Sequence, residues 1–335
     1  MAQHAQRRQQ HHRQRPRAGR GHRQTRMSPL ADKVLMIRPA AFCYNEQTAA
    51  NNHFQNRPGL EAEALQLAAQ KEFDAMLRQL LRAGIEVLVI EDTPEPVKPD
   101  ALFPNNWISS STDGRIHLYP MFAPNRRAER RKGIVDLLER SFAVSRVNDW
   151  SFLEEQQVFL EGTGSIVFDH AGRTAYAALS PRTDKAAFGL VANAHGYGSV
   201  AFDAQDAAGR PVYHTNVLLS IGERFAVGCS AAFVREEEQR AVQEKLAASG
   251  HEWIDISFEE MAAFGANLLQ LQNKKGEPCI VISETAVTAL APEKIARLQQ
   301  HGTLIVPSIP TIETVNGGSV RCMLAEIFLK EKEPT

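Results

Sequence analysis

The sequence predicts an α/β fold, a single large domain of five ββαβ-type units closed into a ring. Three observations predict it. A strand–turn–strand–helix–strand phrase recurs along the chain with a period of roughly 50–60 residues, the range of repeat architectures. The length of 335 residues suits either two ordinary domains or one large closed one. Closing a ring also removes the exposed edges that five short sheets would otherwise present.

The units follow in order. "KVLMIRP" opens the first as a strand, and "GLEAEALQLAAQKEFDAMLRQLLRAG" (59–84) carries apolar residues at helical spacing up to a Gly84 stop. "IEVLVIE" returns as a strand. The second unit has "ALFPNNWISSSTDGRIHLYPMF" with a hairpin turn at Asp113-Gly114, a basic helix over 126–141, and "AVSRV". The third has "LEGTGSIVFDHAGRTAYAAL" with its turn at Ala171-Gly172, the helix in "SPRTDKAAFGLVANAHG", and "SVAFD". The fourth turns at Gly222-Glu223 within "YHTNVLLSIGERFAVGC", then runs through the helix in "SAAFVREEEQRAVQEKLAASG" to "EWIDI". Ser180-Pro181 and Ser230 stand where helix N-caps belong. The fifth runs "ANLLQLQNKKGEPCIVIS", "PEKIARLQQHG" and "TLIVPS". The closing strand, "SVRCMLAEIF", is expected to pair around Val320–Ile327 with the first strand around Val34–Ile37.

Hydrophobic residues make up 43% and charged residues 23%, as in an ordinary globular enzyme, and no apolar run approaches a membrane span. The four cysteines (Cys43, Cys229, Cys279, Cys322) are scattered, without CxxC or metal-type histidine spacing. That pattern indicates neither a zinc site nor a disulfide scaffold, and it sets a cytoplasmic, reduced chain as the default. Residues 1–26 hold eight arginines and no acid, so the remainder of a chain of net charge -1 carries -9. This opening segment lacks the apolar residues of a core or a secretory signal. Residues 1–27 read as a disordered basic extension ahead of a single domain over 28–335, with Met27 as an alternative start. The acidic remainder would repel phosphate, which argues against a nucleic-acid partner.

The chemistry sits at equivalent places in the repeat. Where each unit's first strand begins there is a polar cluster: Asn105-Asn106, Glu161, His214 with Asn216, Asn267, and Cys322. In a pseudo-rotationally symmetric ring such positions meet near the axis. Cys322, His214 and Glu161 would then form a nucleophile, a proton-transfer partner and an orienting carboxylate. Taken singly, each has a blander reading: a buried small hydrophobe, a strand histidine, a turn acid. Their shared phase is what favours a site. Cys229 and Cys279 lie inside apolar strands and keep the blander reading.

These segments resemble the guanidine-modifying enzymes of the pentein fold, which include arginine deiminases, dimethylarginine hydrolases and amidinotransferases. "LEGTGSIVF" resembles the family's Glu-Gly-Gly-Asp strand, "HTNVLLS" its histidine strand, and "NGGSVRCM" its glycine-rich motif with the nucleophilic cysteine. "PDALFPNNW" is similar to the substrate-binding segment. The resemblance covers Lys33 to the C-terminus, and "FPNNW" with "NGGSVRCM" is most similar to the citrulline-utilisation hydrolase branch. It implies a five-bladed pseudo-symmetric α/β propeller with catalytic Cys322, His214 and Glu161. It further implies substrate contacts at Asn106, Asn216, Asn105, Asp100, Gly317 and Gly318, with no metal or organic cofactor, a small-molecule amino acid as the partner, no nucleic acid or membrane, and the oligomeric state left open.

The departures bear on substrate. Asn106 and Asn216 stand where deiminases place aspartates, and Gly164 replaces the aspartate of the Glu-Gly-Gly-Asp strand. A buried carboxylate facing a neutral ligand is an unpaired charge, whereas an amide offers donor and acceptor to a neutral ureido group. The expected reaction is hydrolysis of citrulline to ornithine, carbon dioxide and ammonia through a covalent Cys322 intermediate. Gly317 and Gly318 are expected to let substrate lie against the backbone beside the thiol, and Asp100 to take its ammonium. Arg321 is a candidate cation beside the thiol, although strand neighbours alternate faces. The amide-rich loop 40–55 reads as a cover for the site or as plain surface. The alternatives are a deiminase, dimethylarginine hydrolase or amidinotransferase of the same superfamily, and, more remotely, a non-enzymatic amino-acid-binding protein.

Overall fold

The structure, a computed structural model, describes residues 30–332 except 58 and 60, so the basic N-terminal segment lies outside the described residues. Five three-stranded sheets share one pattern, in which the middle strand pairs antiparallel on one side and parallel on the other. In the second to fifth units the antiparallel pair is a hairpin; the parallel pair needs a crossover, and in each unit a helix supplies it.

In the second unit the strands are Ile108–Ser110, Arg115–Leu118 and Arg146–Asp149, with the helix Lys132–Ser141 in the crossover. In the third they are Val167–Asp169, Thr174–Leu179 and Gly198–Asp203, with the helix Lys185–His195. The fourth has Leu219–Ile221, Phe225–Gly228, Glu252–Asp255 and the helix Glu236–Ala248. The fifth has Leu269–Gln272, Pro278–Val281, Thr303–Ile305 and the helix Pro292–Gln299. The first unit is completed from the other end of the chain: Ala325–Ile327 pairs antiparallel with Lys33–Arg38, which pairs parallel with Glu86–Glu91. Its crossover helix, Ala62–Ala83, buries Leu65, Ala69, Phe73, Met76 and Leu80 along one stripe. It stops at Gly84, which adopts the left-handed conformation that a side chain would resist.

First strands of several neighbouring sheets lie side by side: Ala325–Ile327 by Ile108–Ser110, and Leu219–Ile221 by both Val167–Asp169 and Leu269–Gln272. The turns at Asp113-Gly114, Ala171-Gly172 and Gly222-Glu223 all fall between hairpin strands.

Three local expectations need correction. The helix Lys185–His195 is capped by Asp184, whose carboxylate accepts from the amides of Ala186 and Ala187, while the Ser180 hydroxyl donates instead to the Tyr213 carbonyl. The helix of the fourth unit starts only at Glu236, and Ser230 accepts from Gln243 and Trp253. The stretch read as a helix over 126–141 is two helices, Pro124–Arg127 and Lys132–Ser141, with Glu129 turned inward between them onto the buried Arg126.

Candidate active site

The polar clusters do not sit in strands. Each occupies a short turn just before its unit's first strand, where the chain curls and projects side chains inward. Asn105 and Asn106 lie in the 3-10 turn Pro104–Asn106; His214 caps the 3-10 turn Thr215–Val217, which holds Asn216; Glu161 caps the single helical turn Gly162–Ser165. The expected closing strand is likewise shorter than its apolar pattern suggested. Amides of Cys322, Met323 and Leu324 bond back to the carbonyls of Ser319, Val320 and Arg321, so the chain is coiled around Cys322 and extended only from Ala325.

Those turns bring Glu161 onto His214, and the Cys322 sulfur beside Asn216, two residues on from His214. The His214 ring meets Glu161 with Nε2 2.7 Å from Oε2, and the second carboxylate oxygen accepts from the amide of Phe122. His214 shares its turn with Asn216, whose Nδ2 lies 3.5 Å from the Cys322 sulfur; Asn267 Nδ2 approaches the same sulfur at 3.4 Å. Asn267 is held in turn by the Arg321 amide, which donates to its Oδ1. Glu161, His214 and Cys322 are 0, 2 and 3% exposed.

Two arginines outside the predicted set dominate the electrostatics. Arg182 Nη1 is 3.4 Å and Arg126 Nη1 3.9 Å from Glu161 Oε2. Burial would raise the Glu161 carboxyl, but Arg182, the His214 hydrogen bond and Arg126 outweigh it and hold it well below the usual carboxylate range. Burial pushes His214 down to about 4 against the pull of Glu161, so at neutral pH the ring is neutral and its Nε2–H donates to a carboxylate. Arg126 is gripped by Glu129 through Nε and Nη2, and burial lifts the Glu129 carboxyl to about 7. Neither arginine was legible as a site residue, because basic residues in "PNRRAERR" and "SPRTD" look like a solvated helix face and a turn. The usable signal was the acid three residues after Arg126, which forms a buried i,i+3 pair with it.

The remaining predicted residues have other partners. Asp100 accepts from Asn45 Nδ2 at 2.6 Å and from Asn316 Nδ2 at 2.5 Å, with Arg126 Nε 3.7 Å away. It is thus already satisfied by protein groups. Both side-chain polar atoms of Asn105 are buried and without a partner. Gly317 and Gly318 correct the sequence expectation. A Cβ on Gly317, which has φ +63°, would stand 2.7 Å from Asn52 Oδ1, and one on Gly318 would stand 2.7 Å from the Phe103 ring. These glycines make room for protein neighbours rather than an open face. Arg321 points away from the sulfur, donating to Glu326 and to the Leu324 carbonyl.

The loop 45–56 covers the site. Asn45 bonds Asp100, Asn51 Oδ1 accepts from Arg182 at 2.9 Å, and Asn52 Nδ2 donates to the Asn316 carbonyl at 2.9 Å. The Phe54 ring lies against Tyr213 and Phe264, at 6.1 and 5.3 Å between centroids. Among the described residues no group of three or more His, Cys, Asp or Glu could hold a metal ion, and no helix is long and apolar enough to cross a membrane.

The fold has known counterparts. It matches the N-terminal domain of ArgZ, an arginine dihydrolase from cyanobacteria, determined as a cysteine-to-serine variant bound to substrate. That match has 15% identity and a TM-score of 0.65, over 88% of this chain and 97% of that one. It also matches AgrE in a binary complex with L-arginine, with 14% identity and a TM-score of 0.68, over 88% of this chain and 40% of that longer protein. A dimethylarginine dimethylaminohydrolase, as the adduct of a histidine-to-glycine variant with S-methyl-L-thiocitrulline, matches with 16% identity and a TM-score of 0.61, over 89% of this chain and 100% of that one. Among curated proteins none matches in sequence. The protein is a hydrolase of C–N bonds other than peptide bonds, of the pentein superfamily. Within it, the chain belongs to the family described as N,N dimethylarginine dimethylhydrolase, eukaryotic, whose model matches residues 38–329.

Proposed function

We propose that the protein hydrolyses a ureido amino acid, citrulline being the substrate of choice, with Cys322 as nucleophile. One observation carries the substrate assignment. Asn106 presents a buried, unpartnered Nδ2 donor, and Asn216 a buried, unpartnered Oδ1 acceptor. A ureido group, O=C(NH2)–NH–, offers one acceptor and several donors and satisfies both. A guanidinium offers donors alone, and the nearby carboxylates are already taken: Glu161 by His214 and Arg182, Asp100 by two amides, Glu129 by Arg126. The assignment to the citrulline-utilisation branch rests on "FPNNW" and "NGGSVRCM".

In the first half-reaction the Cys322 sulfur adds to the ureido carbon while neutral His214 accepts the thiol proton. The C–N bond to the ornithine side-chain nitrogen then breaks, that nitrogen takes the proton from His214, and an S-carbamoyl group remains on Cys322. In the second half, His214 takes a proton from water, whose oxygen attacks the carbamoyl carbon; the thiol is restored and carbamate departs, decomposing to ammonia and carbon dioxide. Glu161, held ionised by Arg182, stabilises the imidazolium each time it forms. The five sheets and the pairing of Ala325–Ile327 with Lys33–Arg38 support a closed five-bladed propeller as the frame that brings these turns to one axis.

Family membership and the arginine-bound neighbours support a second reading, hydrolysis of arginine or a methylated arginine by the same residues. Measuring ornithine and ammonia release from citrulline, arginine and dimethylarginine separates the two. Citrulline is expected to be turned over with the highest kcat/KM; a preference for either guanidine overturns the ureido assignment.

A further inference from the structure

We infer that Arg126 is a positioning residue that fixes which end of the Asn106 amide faces the site, and so sets what position 106 can recognise. An asparagine amide can turn over and exchange its oxygen and nitrogen, and normally its neighbours decide. Here one neighbour decides. Arg126 is 2% exposed, its Nε and Nη2 are held by Glu129 at 2.8 and 2.9 Å, and its Nη1 donates to Asn106 Oδ1 at 2.8 Å. Turning the amide over would set an NH2 group against a buried guanidinium N–H, donor against donor, with the oxygen stranded elsewhere.

The other end of the amide is therefore fixed too. Asn106 Nδ2 is buried and without a partner. It lies beside Gly164 and His214: a Cβ on Gly164 would stand 2.5 Å from Asn106 Nδ2 and 2.8 Å from His214 Nδ1. The missing side chain at 164 admits the amide to the neighbourhood of the catalytic imidazole. Position 106 is thus a donor locked in place, suited to a carbonyl oxygen and opposed to a guanidinium.

A second consequence follows from the same contact. A carboxylate at 106 would inherit the Arg126 N–H and be neutralised by it. The two asparagines are then not equivalent. Restoring an acid at 106 does not create an arginine site, because the charge is spent inside the protein.

The direction of discrimination rests on the ureido assignment above; the lock itself does not. The experiment measures kcat/KM for citrulline and arginine in wild type, Arg126→Lys and Asn106→Asp. Lysine keeps a charge opposite Glu129 but cannot span Glu129 and Asn106 with one planar fork, so the amide is freed. The citrulline-to-arginine ratio is expected to fall about fivefold to tenfold, the worth of one hydrogen bond. A purely structural role lowers both substrates alike, and an unmoved ratio overturns the proposal. Asn106→Asp is expected to lose citrulline turnover while arginine kcat/KM changes by less than about threefold; a gain of about tenfold for arginine overturns the neutralisation and the lock with it. Should the Lys variant fail to fold by circular dichroism, the Asp variant decides alone. A wild type that prefers arginine overturns the ureido assignment instead, and the lock then stands or falls on whether the Lys variant moves the ratio.

Discussion

The Cys322 sulfur and the Glu161 carboxylate are both buried, yet they face opposite surroundings. Glu161 sits among charges: two arginine side chains within 4 Å and a histidine on its oxygen. The Cys322 sulfur lies in an apolar cluster with the neutral amides of Asn216 and Asn267 on it, and its neighbour Arg321 turns its charge away. The difference teaches how work is divided in the proposed mechanism. The charge needed for proton transfer is stored on the Glu161–His214 side and held there in all states, while the sulfur is kept among groups that can follow it from thiol to thiocarbamate without a change in net charge.

Breaking the neutral side should have the largest effect. Cys322→Ser keeps size and polarity but removes the proposed nucleophile, and turnover is expected to fall on the order of a thousandfold or more with an unchanged melting temperature. Near-native activity in that variant would place the nucleophile elsewhere. Breaking the charged side should cost both activity and stability. Glu161→Gln leaves two buried guanidinium groups without their shared acid, a loss of roughly 3 kcal/mol. Thermal melting checks this, and a variant as stable as wild type would mean that Arg126 and Arg182 are fully served by their other partners.

Charging the neutral side sharpens the comparison. In Asn216→Asp the new carboxylate has no arginine on it, unlike one at 106, and stands next to the sulfur. Citrulline use should fall, and the arginine-to-citrulline ratio should rise about tenfold from one charge-assisted bond. An unmoved ratio would make Asn216 a structural amide.

A milder effect is expected from acid. His214 and His117 are each pushed down to about 4 and His195 to about 3, in every case chiefly by burial. Unfolded, these imidazoles take protons near the ordinary histidine value of about 6.5. Between those limits these three imidazoles bind more protons unfolded than folded, so the stability they contribute is complete above pH ~6.5 and is lost as pH falls toward 4; Glu161, whose carboxyl is also depressed, extends the loss below its own ordinary value, while Glu129, raised to about 7 by burial, works in the opposite sense and offsets part of it. Melting temperatures across that range check the sign, and a flat profile contradicts it. The smallest effect belongs to Cys229, whose thiol burial pushes up to about 11 inside an apolar cluster. Cys229→Ala should leave kcat/KM within about twofold, since no step uses the thiol.

Much of this was legible in sequence because repeated turns have a local chemistry. Asp113-Gly114, Ala171-Gly172 and Gly222-Glu223 announced their hairpins, and the phase of Asn106, Glu161, His214, Asn216 and Cys322 relative to those hairpins put them in equivalent turns. The polar clusters were misread as strand because their neighbours are apolar, and apolar pattern does not distinguish a strand from a buried turn. Arg126 and Arg182 stayed hidden for a different reason. A buried arginine is defined by what tertiary structure sets against it: Arg182 meets Glu161 and Asn51 from two distant segments, and for Arg126 only Glu129 is local, while Asn106 and Glu161 come from elsewhere in the chain. The glycines before Cys322 were seen but given the wrong neighbour, since nothing local says that Asn52 and Phe103 close on them.

The amide-rich loop over the site carries a last consequence. With Asn45, Asn51 and Asn52 on Asp100, Arg182 and the Asn316 carbonyl, the loop is tied down at three points, and Cys322 below is 3% exposed. All three ties are made by neutral side chains, so the cover spans a strongly charged site without adding a charge of its own.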